Sequence, residues 1–362
     1  MPFTLGRRAP LDGIRGLAVA AVVALHAGIG VKGGYLGVQM FFVLSGFVIT
    51  AVLLEEARET GGISLRQFYL RRVLRLLPAL VAVLAFVAAY SLLFPGHAPR
   101  HQVARAEAGA MFYVVNWVYI HVGSKPYLLV HTWSLSIEEQ FYLLWPPIVV
   151  ALALRGGRYR RLAQVALVGV AASTAVRWVL IAHGARLDRI YLGTDTRVDA
   201  LLMGCAVAIA CYAGWMPRRR ATLAALRTAS FAGAVVVVAA CLWWGRPGVR
   251  DYHGLGLSFI ALCTAAIVAA VVVMPTGVMP RVLAWSPLTE LGKISYGLYL
   301  WHLPLFVMFR NAFPHTTNWI AVPLMTVIAL GVSLVSYHYI EAPFLRMKER
   351  LRPAQVPVTA VA

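Results

Sequence analysis

The sequence is poor in charge, above all in acidic charge. Only 13% of its 362 residues are Asp, Glu, Lys or Arg, whereas soluble domains carry roughly a quarter. Hydrophobic residues make up 60%, and the mean hydropathy is +0.74. This composition excludes a water-soluble domain and predicts that lipid surrounds most of the surface. The 33 Lys and Arg residues against 14 Asp and Glu give a net charge of +19, which we attribute to membrane orientation and not to nucleic-acid binding.

Cysteine is also scarce, and so are features that belong outside a membrane. The four cysteines all lie in apolar runs: Cys205, Cys211, Cys241 and Cys263. Such residues are expected to pack as small apolar side chains and not to form disulfides or bind a metal. No small-residue cleavage site follows the first apolar run, no loop is long enough for a soluble domain, and no internal repeat of the transporter type is seen. We predict one membrane domain at residues 1–345 and a short cytoplasmic tail at 346–362.

Apolar runs of about 18 to 22 residues match the thickness of a bilayer and predict an all-α integral membrane protein. We predict a bundle of about ten transmembrane helices, near residues 13–30, 35–55, 78–94, 135–154, 162–182, 198–215, 229–245, 255–274, 293–310 and 319–340. A further apolar stretch at 109–122 is too short to cross and carries Asn116 and Trp117, so it is predicted to be re-entrant or interfacial.

The distribution of basic residues predicts the orientation. With ten crossings both termini lie on one side, and the loops on that side carry about twice as many Lys and Arg residues as the opposite loops. Because cytoplasmic loops are enriched in basic residues, both termini are predicted to be cytoplasmic. A crossing at 109–122 would move the basic clusters around Arg155 and Arg218 to the outside, against the rule.

The first predicted helix carries two ionisable residues, Arg15 and His26. Eleven residues of α-helix are about three turns plus 20°, so the two side chains share one face roughly 16 Å apart along the axis. Ionisable groups at membrane depth usually face a bundle interior or a watery cavity. A structural alternative, in which Arg15 reaches the headgroups and His26 bonds to a backbone carbonyl, is equally compatible with the pair alone.

The pair belongs to an ordered set of motifs that resembles the acyltransferase 3 family of membrane-embedded O-acyltransferases. An Arg, ten residues and a His in the first helix are a hallmark of that family. The later segments follow in the family's order: GGYLGVQMFFVLSGFVIT at 33–50, QFYLRRVLRLLP at 67–78, HTWSLSIEEQFYLLWP at 131–146, TDTRVDALLMG at 194–204, ISYGLYLWHLPLF at 294–306 and YIEAPF at 339–344. The match runs from Leu11 to Phe344, without the SGNH hydrolase-like domain that some members append.

The resemblance implies transfer of an acyl group, commonly acetyl, from cytoplasmic acyl-coenzyme A (acyl-CoA) to a hydroxyl. It implies a multi-pass protein of the bacterial inner (cytoplasmic) membrane and no metal. The acceptor would be a hydroxyl-bearing glycan, glycolipid or small molecule such as a glycosylated macrolide, and the sequence does not separate these. A transporter of an acylated or anionic solute, which would not turn over a thioester, is the competing class.

The chemistry needs a base, and His26 is the candidate. An alcohol is a poor nucleophile at neutral pH, and histidine is the side chain whose ordinary pKa suits proton removal. A transient acyl-histidine is the other role open to it. The family pattern WSLxxE favours Glu138 as a carboxylate partner that would orient the imidazole, whereas Glu139 is expected to be an acid favoured by the helix N-terminus.

Arg71, Arg72 and Arg75 fall within about 100° of arc on a helix that Ser64 is positioned to cap. Guanidinium groups bind phosphates in bidentate geometry, so this face is a candidate grip for the donor, and anionic lipid headgroups are the alternative ligand. Arg15, deeper in the membrane, would meet the pantetheine arm or the diphosphate.

The other candidate residues carry weaker predictions. Ser295, Tyr299 and His302 share one face of a late helix, where they would either line the donor tunnel or simply pack. Arg197 and Asp199, at the outer end of their helix, are predicted to form a structural ion pair, with acceptor binding as the alternative. Glu341 is followed by Ala342 where the family often has a basic residue, which weakens any prediction of a cytoplasmic ion pair there.

Overall fold

The computed structural model describes residues 3–6, 8–97, 99–123, 127–153, 159–244 and 252–350, and within these ranges no strand is found. The α-helices are α1 (Ala9–Ala27), α2 (Leu36–Thr60), α3 (Leu65–Leu93), α4 (Arg100–Met111), α5 (Val115–Val122), α6 (Trp133–Ala153), α7 (Tyr159–Ala182), α8 (Leu187–Leu192), α9 (Val198–Tyr212), α10 (Arg220–Trp243), α11 (Leu257–Val273), α12 (Val278–Leu283), α13 (Ser286–Lys293), α14 (Ser295–Ala312), α15 (Asn318–Ser336) and α16 (Ala342–Arg350). A 3₁₀-helix at Tyr127–Thr132 precedes α6, and π-helical turns lie at Tyr252–Gly256 and Tyr337–Glu341.

The predicted all-α membrane class is confirmed. A helix lies at each of the ten predicted crossings: α1, α2, α3, α6, α7, α9, α10, α11, α14 and α15. Within the part of the chain that the structure describes, seven spans are long and apolar enough to cross a bilayer by themselves. The other three helices, α6, α9 and α14, are shorter or more polar and owe their position to packing against neighbours.

The stretch at 109–122 is divided between two short helices, and neither is long enough to cross a bilayer. The end of α4 and the whole of α5 are separated at Tyr113, whose φ of 54° breaks the helical path. Eight residues of α5 span only about 12 Å, against a hydrocarbon core of about 30 Å. The basic loop at Arg155 and Arg158, Lys125 and the tail beyond Arg350 lie outside the described residues.

α2 lies at the centre of the bundle and packs against α1, α6, α9 and α11. The backbones of α2 and α9 approach closely, because glycines face the partner's backbone on both sides. A Cβ atom at Gly46 would clash with the Leu201 carbonyl, and one at Gly204 would clash with the Val43 carbonyl. Small residues that allow backbones to approach are the usual means of packing helices in lipid.

The helices that carry the candidate site meet around α1. The long α3 begins at its predicted cap, where the Ser64 hydroxyl accepts the Gln67 N–H at 3.4 Å, and it continues through Pro78 without a break. α1 and α14 run in the same direction side by side, because Arg15 and Ser295 line one cavity while His26 contacts His302 further along both helices. The predicted site residues on α1 and α14 therefore lie at two depths, with Arg15 and Ser295 at one and His26 and His302 at the other.

Candidate active site

A cavity of about 730 Å³, open space at its mouth included, lies between α1, α2, α3, α6 and α14. Apolar side chains, Val38 and Phe41 among them, form part of its wall. Its polar lining consists of Arg15, Ser45, Arg72, Arg75, Ser134, Glu138, Tyr142, Ser295, Tyr296 and Tyr299. We call it the arginine chamber, after Arg15, Arg72 and Arg75. Three guanidinium groups face a single lining carboxylate, so the chamber carries an excess of positive charge.

The three arginines differ in their partners. Arg72 donates to Glu139 Oε1 at 2.8 Å, and its guanidinium carbon lies 3.5 Å from the centre of the Tyr142 ring. Arg15 forms a looser pair with Asp12 at 3.7 Å. Arg75 has no ion pair with any described residue. A guanidinium that lines a cavity with no carboxylate in direct contact is a place where an anionic ligand would be stabilised.

The structure separates Arg71 from the other two arginines of the predicted face. Its Nη2 lies 2.8 Å from Glu56 Oε2 on α2, and Glu56 Oε1 accepts the Ser64 N–H at 2.8 Å. Consecutive residues on a helix point about 100° apart, so the face of α3 that turns Arg72 and Arg75 toward the chamber turns Arg71 toward α2. Arg71 therefore stabilises the turn that joins α2 to α3.

Glu138 lines the chamber, and the expected contact with His26 is not among its described hydrogen bonds. Tyr142 Oη donates to Glu138 Oε2 at 3.2 Å, one turn along α6. The two residues lie at different depths along the bundle. His26 is the penultimate residue of α1, whereas α6 begins near the C-terminal end of α1 and Glu138 lies more than one turn further into the bundle. Glu139, expected to be an acid at the helix start, instead balances Arg72.

Beyond the chamber three imidazoles form what we call the histidine cluster: His26, His131 and His302. His26 Nδ1 lies 3.1 Å from His302 Nε2, and the ring centres of His131 and His302 are 5.4 Å apart. His302 is completely buried, whereas His26 keeps an exposed edge. His131 bonds through Nε2 to the Leu300 carbonyl at 3.1 Å.

Tyr299 stands between the chamber and the histidine cluster. It lines the chamber, and its ring centre lies 5.7 Å from that of His302. Its hydroxyl donates to the His131 carbonyl at 2.8 Å and lies 2.6 Å from Ser134 Oγ. Of the predicted trio on α14, Ser295 and Tyr299 thus face the chamber and His302 faces His26.

Asp199 and Glu341 are buried acidic residues outside the chamber lining, and each had been considered for an ion pair. The Asp199 carboxylate pairs with Arg177 of α7 at 2.6 Å and accepts from Ser258, so the predicted pair with Arg197 is wrong. Arg197 precedes the helix and lies against aromatic rings, with its guanidinium carbon 4.9 Å from the centre of the Tyr191 ring. Glu341 is buried beside Gly297, and the described residues give it no ion pair.

Sequence reasoning missed His131, Ser134 and Tyr142. All three lie in the segment HTWSLSIEEQFYLLWP, which drew attention only to its two glutamates. The spacing of four between Glu138 and Tyr142 is a usable signal for a helical pair. No local signal exists for His131, because its place beside His302 depends on tertiary packing across 171 residues of chain.

Comparison with known proteins agrees with this architecture. The family model of the acyltransferase domain matches residues 8–338. Three bacterial proteins are similar over 92% of this chain: YrhL of Bacillus subtilis (strain 168), 34% identical; peptidoglycan O-acetyltransferase OatA of Listeria monocytogenes, 33% identical; and O-acetyltransferase OatA of Staphylococcus aureus, 32% identical.

The chain spans little more than half the length of these relatives, between 54% and 56%. No solved structure matches the chain at a significant level. The family model covers nearly the whole helical bundle, including the arginine chamber and the histidine cluster. This chain is a multi-pass membrane protein that belongs to the acyltransferase 3 family.

Proposed function

We propose that this protein is a membrane-embedded O-acyltransferase that moves a short acyl group, such as acetyl, from acyl-CoA to a hydroxyl of a cell-envelope glycan. The observation that carries the proposal is the pairing of two sites along α1. Arg15 and Arg75 line a cavity, Arg75 has no ion pair among the described residues, and an exposed imidazole lies further along α1 at His26. An anionic donor and a base are the two things this transfer requires.

The arginine chamber suits the donor. Coenzyme A carries phosphates, and guanidinium groups hold phosphates through paired N–H bonds. Arg75 and Arg72 would bind these groups, Ser295 and Tyr299 would line the donor path, and Arg15 would meet the diphosphate or the pantetheine arm. About 16 Å of helix separates Arg15 from His26, so an extended arm is needed to bring the thioester to the histidine cluster. Arg71, held by Glu56, would act on the shape of the site and not on the donor.

His26 supplies the acid–base chemistry. Its imidazole removes the proton of the acceptor hydroxyl while the oxygen attacks the thioester carbonyl carbon. The carbon–sulfur bond then breaks, the acyl group remains on the oxygen, and the imidazolium returns its proton to the departing thiolate. Glu138, on the chamber side, would contribute negative charge that offsets the arginines when the donor is absent.

The relatives support a glycan acceptor, since two of the three are named for O-acetylation of peptidoglycan. A small glycosylated metabolite such as a macrolide is the other acceptor, and it offers the same chemical group. A transporter that uses the same charges would move its solute without consuming a thioester, so thioester turnover separates the two functions.

The test uses the full chain purified into proteoliposomes, with acetyl-CoA and peptidoglycan fragments supplied on opposite sides or together. We expect acetylated fragments in mass spectra, and we expect His26→Ala to lower the rate by about a hundredfold or more, the scale of general-base catalysis, while acetyl-CoA binding is retained. His183→Ala is the matched control, because His183 is an exposed histidine that bonds only to its own helix, at the Val179 carbonyl. Transfer by His26→Ala at the wild-type rate would contradict the proposal.

A further inference from the structure

We propose that His302 is a positioning residue that sets the tautomer of His26, so that Nε2 of His26 carries the free lone pair that acts as the base. The inference rests on the proposed function, in which His26 takes the proton of the acceptor hydroxyl. It adds a residue with a defined task that the chemistry of His26 alone does not require.

A backbone carbonyl fixes the tautomer of His302. His302 Nδ1 lies 3.0 Å from the Leu298 carbonyl oxygen, one turn back on α14. A carbonyl oxygen can only accept, so Nδ1 must carry the hydrogen. In the neutral ring the other nitrogen, Nε2, then has a lone pair and no hydrogen. Burial at 0% exposure keeps His302 neutral, since a buried charge without a paired anion is costly.

The tautomer of His302 in turn determines which nitrogen of His26 carries the hydrogen. His302 Nε2 lies 3.1 Å from His26 Nδ1, and because His302 Nε2 can only accept, His26 Nδ1 must donate. His26 Nε2 is thereby left without a hydrogen. Of the two rings, His26 belongs to an exposed residue and His302 to a buried one, so His26 is the ring that an acceptor hydroxyl can approach.

His302 also serves the charged form of His26. After His26 Nε2 takes the hydroxyl proton, Nδ1–H still donates to His302, and the imidazolium is stabilised by a neutral acceptor. The titratable groups around His302 are His26 on α1, His131 in the 3₁₀-helix and Tyr299 on its own helix. Within the described residues no carboxylate bonds to either ring, so the role that an aspartate has in a Ser-His-Asp triad falls here to an imidazole.

Two amide substitutions separate positioning from packing. In His302→Gln the amide oxygen reaches the place of Nε2 and can accept from His26 Nδ1–H. In His302→Asn the same amide is one methylene shorter and ends near the place of Nδ1. We expect kcat of His302→Gln to stay within about tenfold of wild type and kcat of His302→Asn to fall by about a hundredfold or more, with KM for acetyl-CoA changed little in both. Acetyl-CoA binding and the thermal midpoint of each variant verify the fold.

The tautomer itself is read by nitrogen NMR on histidine-labelled protein, with the His26 signals assigned by their loss in His26→Ala. The expected wild-type and His302→Gln pattern is a protonated Nδ1 and an unprotonated Nε2, replaced in His302→Asn by a mixture. Equal kcat in the two amide variants, or a wild-type His26 protonated at Nε2, would overturn the inference. Absence of acetyl transfer by the wild-type protein overturns the proposed function instead, and the nitrogen spectra still decide the tautomer.

Discussion

At the scale of single residues, neighbouring arginines on α3 have different binding partners. Arg71 and Arg72 are adjacent in sequence, yet one is held by Glu56 and the other by Glu139 inside the chamber. Arg75 lines the same cavity without an ion pair among the described residues. The basic character of this helix face is visible in the sequence, but the position of each counter-ion is a tertiary property.

Arg75→Ala should weaken binding of acetyl-CoA and make the remaining affinity less sensitive to salt, because a contact to phosphate is screened by ions and its loss removes that dependence. The loss expected for one charge-assisted contact is about 1.5 to 3 kcal/mol, or roughly ten- to a hundredfold in Kd. Binding is measured by calorimetry in detergent at two ionic strengths.

Arg71→Ala is the matched control, since it removes the same charge from the same helix. It should leave the Kd for acetyl-CoA within about threefold, a change of less than 1 kcal/mol, and lower the thermal midpoint because Glu56 loses its partner. If the two variants bind the donor equally well, the chamber does not grip phosphate, and a lipid headgroup becomes the better candidate ligand.

At the scale of elements, the helices could be predicted and their contacts could not. Length and apolarity identify a crossing because the bilayer imposes both, and each predicted crossing coincides with a helix. The pairs Arg177–Asp199 and His26–His302 join residues 22 and 276 positions apart. Nothing in a local pattern encodes such pairs, so the predicted Arg197–Asp199 pair was wrong while the helix that carries it was right.

The packing of α2 on α9 makes an element-scale prediction. Gly46→Val should destabilise the bundle by several kcal/mol, because its side chain would force the Leu201 backbone away in a contact that has no free space. The change is followed as the loss of folded monomer on heating in detergent. Gly62→Val is the control, since nothing lies near a Cβ atom at that position, and it should leave the thermal midpoint close to wild type. A Gly46→Val protein as stable as wild type would contradict the close approach of α2 and α9.

At the scale of the whole molecule, the two candidate sites lie at different levels of the bundle. The arginine chamber is near the middle of α1 and the start of α14, and the histidine cluster is at the far end of α1. If the N-terminus is cytoplasmic, Arg15 and the chamber lie nearer the cytoplasmic end of α1, and His26 lies toward the outer face. The orientation therefore decides whether a donor inside can serve an acceptor outside.

The predicted orientation requires α9 to cross the membrane, and its 15 residues extend only about 22 Å. Buried between α2, α7 and α11, it can cross without spanning the full hydrocarbon thickness against lipid. Single cysteines at the exposed positions His183 and Arg219, on either side of α9, test whether α9 crosses. The four native cysteines are buried and should react little.

We expect a membrane-impermeant maleimide to label His183→Cys in intact cells and Arg219→Cys only after lysis, with His97→Cys behaving like His183→Cys. Labelling of the first two from the same side would mean that α9 does not cross, and labelling of Arg219→Cys alone from outside would invert the molecule and place the arginine chamber away from cytoplasmic acyl-CoA.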